Sequence, residues 1–163
     1  EHVAKSAPDG YTLLINTAAV AINMSLYRKP GFDTLRDFAP ISVFSESPNI
    51  LVVNSAGPLK RLGDLIAAAR ARPGALNYSS AGSGTTQHLS GELLKLRTGT
   101  DIVHVPYKGS APSLTALIAG EVDFTFANIP AILQHIKSGR LRPLATTGGK
   151  RWGGWRASRG TRI

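Results

Sequence analysis

Residues 102–126 read IVHVPYKGSAPSLTALIAGEVDFTF, and this stretch decides the architecture. Ile102–Tyr107 is a short run rich in β-branched and aromatic residues, the composition of a strand. Lys108–Ser110 is a loop. Leu114, Leu117 and Ile118 then recur at helical spacing, and Gly120 closes that helix because it takes the left-handed conformation that other residues resist. Val122–Phe126 is a second strand. Strand, helix and strand at this spacing make a βαβ unit, with its two strands parallel.

The alternation extends both ways. Upstream, the apolar run Ile50–Val53 precedes a helix marked by Leu62, Leu65, Ile66 and Ala69, which Pro73-Gly74 stops. Leu76–Ser80 is a strand that enters the Gly-rich loop Ala81–Gly84, and Leu89, Leu93, Leu94 and Leu96 mark the helix after it. Downstream come the loop Asn128–Pro130, a helix on Ile132, Leu133 and Ile136 closed by Gly139, and a last strand, Leu141–Thr146. The expected fold is α/β, a doubly wound, mostly parallel sheet with helices on both faces. Pro143 has no N–H for a ladder, so it belongs at an edge, a bulge or a crossing point. Nearer the start, Pro8-Asp9-Gly10 is a turn ahead of a strand candidate, Tyr11–Asn16, and Pro40–Phe44 is a further apolar run.

Composition bounds the chemistry. The 163 residues contain no cysteine, which excludes disulfides, thiolate metal sites and a cysteine nucleophile. No apolar run approaches the roughly 20 residues that span a bilayer, and no signal peptide opens the sequence. The net charge of +9 resembles a nucleic-acid signal until it is located. Of the 19 Lys and Arg, five (Lys150, Arg151, Arg156, Arg159 and Arg162) lie from residue 150 onward with no acidic residue among them. The remaining 14 face 10 Asp and Glu, an excess of +4, ordinary for a soluble domain. The tail has no apolar period and belongs to no recognised reader fold, so no nucleic-acid partner is expected.

Four loops could hold a ligand: Thr17–Val20, Ala81–Gln87, Tyr107–Ser110 and Ala127–Pro130. They are rich in Gly, Ala, Ser, Thr and Asn, with Lys108 their one charge. Small side chains let the backbone approach a ligand, and free N–H groups at a helix start favour a carboxylate or phosphate. The bland reading is that Gly/Ser loops cap helices everywhere: Ser110, ahead of Pro112, suits an N-cap, Asn128 a turn and Lys108 a solvated surface. Enzymatic signatures fail. Gly82-Ser83-Gly84 lacks the third glycine of a dinucleotide fingerprint, no Gly-Lys-Ser/Thr follows at P-loop spacing, and there is no G-x-S-x-G elbow. The four histidines have no metal-ligand spacing. His104 reads as a hydrogen-bonded core or lining residue, His88 as the one histidine near a pocket, and Asp123 as a cleft or sheet-end residue. No cofactor and no catalysis are expected; the alternative is an α/β enzyme or nucleotide-binding domain using the Gly82-Ser83-Gly84 loop.

Ala7-Pro8-Asp9-Gly10-Tyr11-Thr12-Leu13-Leu14, Leu76–Gly84 and His104–Pro112, with Asp37-Phe38-Ala39-Pro40, Gly120-Glu121-Val122-Asp123 and Asn128-Ile129-Pro130, occur in an order that resembles the Bug proteins. These are the extracytoplasmic substrate-binding components of tripartite tricarboxylate transporters. The resemblance, collinear from about Val3 to Thr147, implies a two-lobed, type II periplasmic binding protein that closes on a small organic acid or acidic amino acid without covalent chemistry. It implies a periplasmic location and membrane transporter subunits as partners. Carried over motif by motif, the ligand-binding positions are Thr17, Ala18 and Ala19; Ala81, Gly82, Ser83, Gly84, Thr85, Thr86 and His88; Tyr107, Lys108 and Gly109; and Asn128. Ala127 stands where many members carry Asp. Members are about twice this long, so the expected organisation is a partial first lobe at 1–47, a complete second lobe at 48–146, and a return segment with an atypical basic tail at 147–163. The tail, which resembles a frameshifted or linker-encoded end, is expected to be disordered, and the partial lobe's open sheet edge to favour self-association.

Overall fold

The computed structural model describes residues 1–43, 45–149 and 161–162. The chain divides into two compact units, Glu1–Glu46 and Ser47–Ile163.

Among its described residues, the first unit holds a single 3-10 turn, Val3–Lys5, and one helix, α1 (Ala19–Leu26). Asp33 organises a turn by accepting from the N–H groups of Leu35 (2.9 Å) and Arg36 (3.2 Å), and Phe32 meets Phe38 edge to face at 5.5 Å. Tyr11–Asn16 is not a strand: it is irregular chain, with Tyr11 93% exposed. Its apolar composition suits a sheet, but no strand of this unit lies beside it among the described residues, and a strand without a ladder partner has nothing to satisfy its N–H and C=O groups. Pro40–Val43 forms no strand either, with Ile41 and Val43 exposed; Phe44 lies outside the described residues.

The second unit alternates strand and helix: β1 (Asn49–Asn54), α2 (Leu62–Ala71), β2 (Asn77–Ser80), α3 (Thr86–Thr98), β3 (Val103–Pro106), α4 (Ser110–Ala119), β4 (Phe124–Asn128), α5 (Ile129–Lys137) and β5 (Leu141–Thr146). The sheet order is β3-β2-β4-β1-β5-β6, where β6 is Thr161–Arg162 beside β5. The disorder expected of 147–163 otherwise falls largely outside the described residues, although Thr147 is held by its N–H to the Asn49 carbonyl at 3.0 Å. β2 runs parallel to β3 and β4, as a βαβ chain requires, and β5 is parallel to β6. β1 alone runs against both of its neighbours, β4 and β5. Pro143 sits opposite Val52, where the β1–β5 register shifts between Leu51 and Val52; this is the bulge that its missing N–H calls for.

Helices cover both faces. Leu51 and Val53 of β1, with Tyr78, Phe124 and Phe126, pack under α2 and α3 through Leu62, Leu65, Ala69 and Leu94. Ile50 and Val52 point the other way, onto Leu114 and Leu117 of α4 and Ile132 of α5. This explains why β1 reads ILVV without a polar alternation: both faces are core. Ser79, Ser113 and Thr125 are buried between sheet and α4, and Ser113 Oγ donates to Ser79 Oγ at 2.7 Å while Thr125 Oγ1 donates to the Ser79 carbonyl at 2.7 Å. At the far end of the sheet, Asp123 caps rather than lines a cleft: its carboxylate accepts from the Asn77 N–H at 2.8 Å.

α3 lies close on the sheet because Gly91 has no side chain. A methyl group there would overlap Cε2 and Cζ of the fully buried Tyr78 ring. Gly91→Ala therefore overpacks a rigid contact, at about 1–3 kcal/mol, against a helix-propensity gain of about 1 kcal/mol. The expected net result in urea unfolding is a lower midpoint; a raised one would show that α3 can lift off Tyr78 freely.

Candidate functional site

Because β2, β3 and β4 are parallel neighbours, their carboxyl ends share one edge of the sheet, and a helix starts from each: α3 after β2, α4 after β3 and α5 after β4. The first N–H groups of a helix have no partner within it, and the aligned peptide dipoles put about half a positive charge at that end. α3 has a side-chain cap, Thr85 Oγ1 accepting from the His88 N–H at 3.3 Å. α4 and α5 have none: Gly109 and Asn128 occupy their N-cap positions without a side-chain bond. Ser110 is thus not the N-cap that its place before Pro112 suggests. Gly109, at φ 118°, takes that position, and Ser110 becomes the first helical residue. The edge is a set of convergent neutral donors, suited to a carboxylate or phosphate group.

The Gly-rich loop is held by its own backbone. Ser80 Oγ accepts from the Gly82 N–H at 3.1 Å, Thr85 Oγ1 donates to the Gly82 carbonyl at 2.8 Å, and the Gly109 N–H donates to the Ala81 carbonyl at 3.1 Å. The Tyr107 N–H reaches the Ser80 carbonyl at 3.0 Å. The structure therefore brings together Ala81, Gly82, Ser83, Gly84, Thr85, Thr86 and His88 with Tyr107, Lys108 and Gly109, and places Asn128 on the same edge at the end of β4. Lys108 and Asn128 are exposed. Thr17, Ala18 and Ala19 belong to the first unit, where Thr17 Oγ1 accepts from the Ala19 N–H at the entry to α1 (3.3 Å).

Two residues at this edge escape sequence reasoning. Gln87 is buried in the first turn of α3, its Oε1 accepting from the Ala81 N–H at 2.7 Å and its Nε2 donating to Ser110 Oγ at 3.3 Å. Asn49, at the start of β1 opposite Asn128, donates from Nδ2 to Ser90 Oγ at 3.1 Å, and Ser90 Oγ donates to the Thr86 carbonyl at 2.7 Å.

Beneath the loop the aromatic side chains stack. His88 lies on His104 with centroids 4.2 Å apart, His104 on Tyr78 at 4.8 Å, and Tyr78 on Phe124 at 5.4 Å. His88 Nδ1 accepts from the Gly84 N–H at 3.3 Å. A backbone N–H can only donate, so Nδ1 is unprotonated in this arrangement and the proton sits on Nε2. His104 Nε2 pairs with Ser80 Oγ at 2.7 Å, the hydrogen-bonded lining role expected of it. Tyr78 donates its hydroxyl to Glu92 Oε1 at 2.9 Å, and burial with that neighbouring carboxylate pushes the phenol above its usual range. Burial alone would raise Glu92, but hydrogen bonds from Lys95 and Tyr78 outweigh it and hold the carboxyl low.

Burial, with His88 beside it, pushes His104 down from 6.5 to about 4. A histidine depressed in the folded state binds its proton more readily when unfolded, so its contribution to stability is whole above about pH 6.5 and is lost as pH falls toward 4. The urea midpoint is expected to drop across that window in the wild type and to drop less in His104→Gln. Equal slopes for the two proteins would remove His104 from the account.

A family model described as the tripartite tricarboxylate transporter family receptor matches residues 1–157. The protein BugT of Bordetella pertussis is 43% identical over 144 residues, which cover 87% of this chain and 44% of that protein. Among solved structures, Rpa4515 of R. palustris with adipate superposes with a TM-score of 0.91 at 43% identity, covering 99% of this chain and 54% of that one. The periplasmic binding protein BugD superposes at 0.84 with 29% identity, over 92% of this chain and 50% of that one. The chain spans about half the length of the proteins that it matches. Its α/β architecture, with one antiparallel strand in a largely parallel sheet and helices on both faces, is that of these binding proteins, and the chain belongs to the tripartite tricarboxylate transporter family of receptors.

Proposed function

We propose that this chain is part of a periplasmic solute-binding protein that captures a small organic acid, of the dicarboxylate or acidic amino acid class, for a membrane transporter. The observation that carries the reading is the shared edge of β2, β3 and β4, where three helices start and two of them lack a side-chain cap. Anion binding there needs no counter-charge: backbone N–H groups and the hydroxyls of Ser83, Thr86 and Ser110 are the donors, with Lys108 the one cation among the edge loops. Adipate bound to the R. palustris relative supports a carboxylate as the ligand class. Thr17, Ala18 and Ala19 stay in the proposal as contacts from the first unit, and closure of two lobes as the mode of capture. No helix among the described residues is long and apolar enough to cross a membrane; delivery to a separate membrane component is part of the proposal on the strength of the family match.

Binding rather than catalysis is favoured by the fate of the basic groups. His88 spends Nδ1 on the Gly84 N–H, and His104, depressed by burial, is tied to Ser80. Neither is paired with a carboxylate in the manner of a general acid and base.

Differential scanning fluorimetry with adipate, malate, citrate and aspartate, against ATP and NAD, tests the proposal. An acid at about 100 times its Kd adds about 2.7 kcal/mol, a melting rise of roughly 5–10 °C for a chain of this size. Stabilisation by the nucleotides alone would overturn the reading in favour of a nucleotide-binding domain.

A further inference from the structure

We propose that Gln87 fixes the hydroxyl of Ser110 as a hydrogen-bond donor to the bound carboxylate, which makes Ser110 a specificity-determining contact and Gln87 its positioning residue; this rests on the reading of the edge as a carboxylate site. The argument is one of hydrogen-bond polarity. The Ala81 N–H can only donate, so the group facing it at 2.7 Å must be the Gln87 carbonyl oxygen. That choice turns the amide nitrogen to Ser110 Oγ, 3.3 Å away. An amide nitrogen can only donate, so Ser110 must accept there, and its own hydrogen is left over. Among the described residues no protein acceptor lies within hydrogen-bond distance of that hydroxyl.

Three features hold the arrangement. Gln87 is 5% exposed, so water cannot cheaply replace either partner of its amide. Gly109 takes the N-cap position of α4 with φ 118°, which releases Ser110 from capping its own helix. Ser110 itself is half-buried rather than covered, at the start of α4 where the first backbone N–H groups are also unspent. The hydroxyl therefore joins the backbone donors instead of competing with them. Gln87 also spans the two loops, since Ala81 follows β2 and Ser110 follows β3, and so sets their separation.

Titration calorimetry with adipate on the full chain tests this. A hydrogen bond to a charged group corresponds to about a ten- to hundredfold change in affinity, so Ser110→Ala is expected to weaken adipate by that factor and Ser110→Thr, which keeps a hydroxyl, to recover most of the loss. Gln87→Glu presents only acceptors, so Ser110 turns its hydrogen toward Glu and binding falls. Ser110→Ala added to Gln87→Glu then costs nothing further, whereas simple charge repulsion would leave the two losses additive. Adipate binding that is equal in wild type and Ser110→Ala, or additive losses in the double variant, would overturn this proposal and leave the carboxylate reading standing. A wild type that binds no acid would overturn both. Should Gln87→Glu fail to fold, the Ala and Thr variants of Ser110 still decide whether the hydroxyl matters.

Discussion

Ile50–Val53 are four consecutive side chains almost wholly removed from water, and a strand in that state needs helices on both faces and a strand on each side. β1 meets the requirement by running against β4 and β5 at once. That orientation brings its first residue, Asn49, to the same edge as the last residues of β4 and β5: Asn49 pairs with Asn128, and its N–H donates to Thr147 Oγ1 at 3.0 Å. The edge on which α3, α4 and α5 begin is thus anchored from the middle of the sheet outward. Each core side chain of β1 contributes about 1.5–3 kcal/mol on burial.

Where sequence pattern and local chemistry agree, the elements were legible. Leu141–Thr146 has the limits its apolar run suggests, Gly120 closes α4 at φ 81°, and Pro143 lies at a register shift. The direction of β1 was not legible, because a uniformly apolar run carries no information about which neighbour it joins, and its partner β4 lies some seventy residues on in the chain. Tyr11–Asn16 shows the reverse failure: strand composition without a neighbouring strand in its unit leaves exposed, irregular chain. At the site, the Gly/Ser loops were visible as a composition, but the one-residue shift that makes Gly109 the N-cap depends on a backbone angle. Gln87 was hidden because a polar residue near a helix start normally faces water, and here a backbone N–H and a serine hydroxyl draw it inward.

The chemistry of the edge follows from what its side chains have already spent. The two histidines are stacked and hydrogen-bonded beneath the loop, and Glu92 is engaged by Lys95 and Tyr78. What is left to meet a ligand is donor-rich and nearly neutral: backbone N–H groups, small hydroxyls, one exposed lysine and one exposed asparagine. Under the proposed reading, such a surface would hold a carboxylate through many modest hydrogen bonds.

The central claim is that a small dicarboxylate sits on the helix starts of α3, α4 and α5. Nitrogen-15 NMR of the chain titrated with adipate tests it residue by residue. The account predicts saturable shifts of the backbone amides of Ser83–Gln87, Lys108–Ala111, Asn128 and Ile129, with the opposite end of the sheet around Asn77 and Asp123 unmoved. Shifts confined to residues away from this edge, such as those around Asn77 and Asp123, would contradict it.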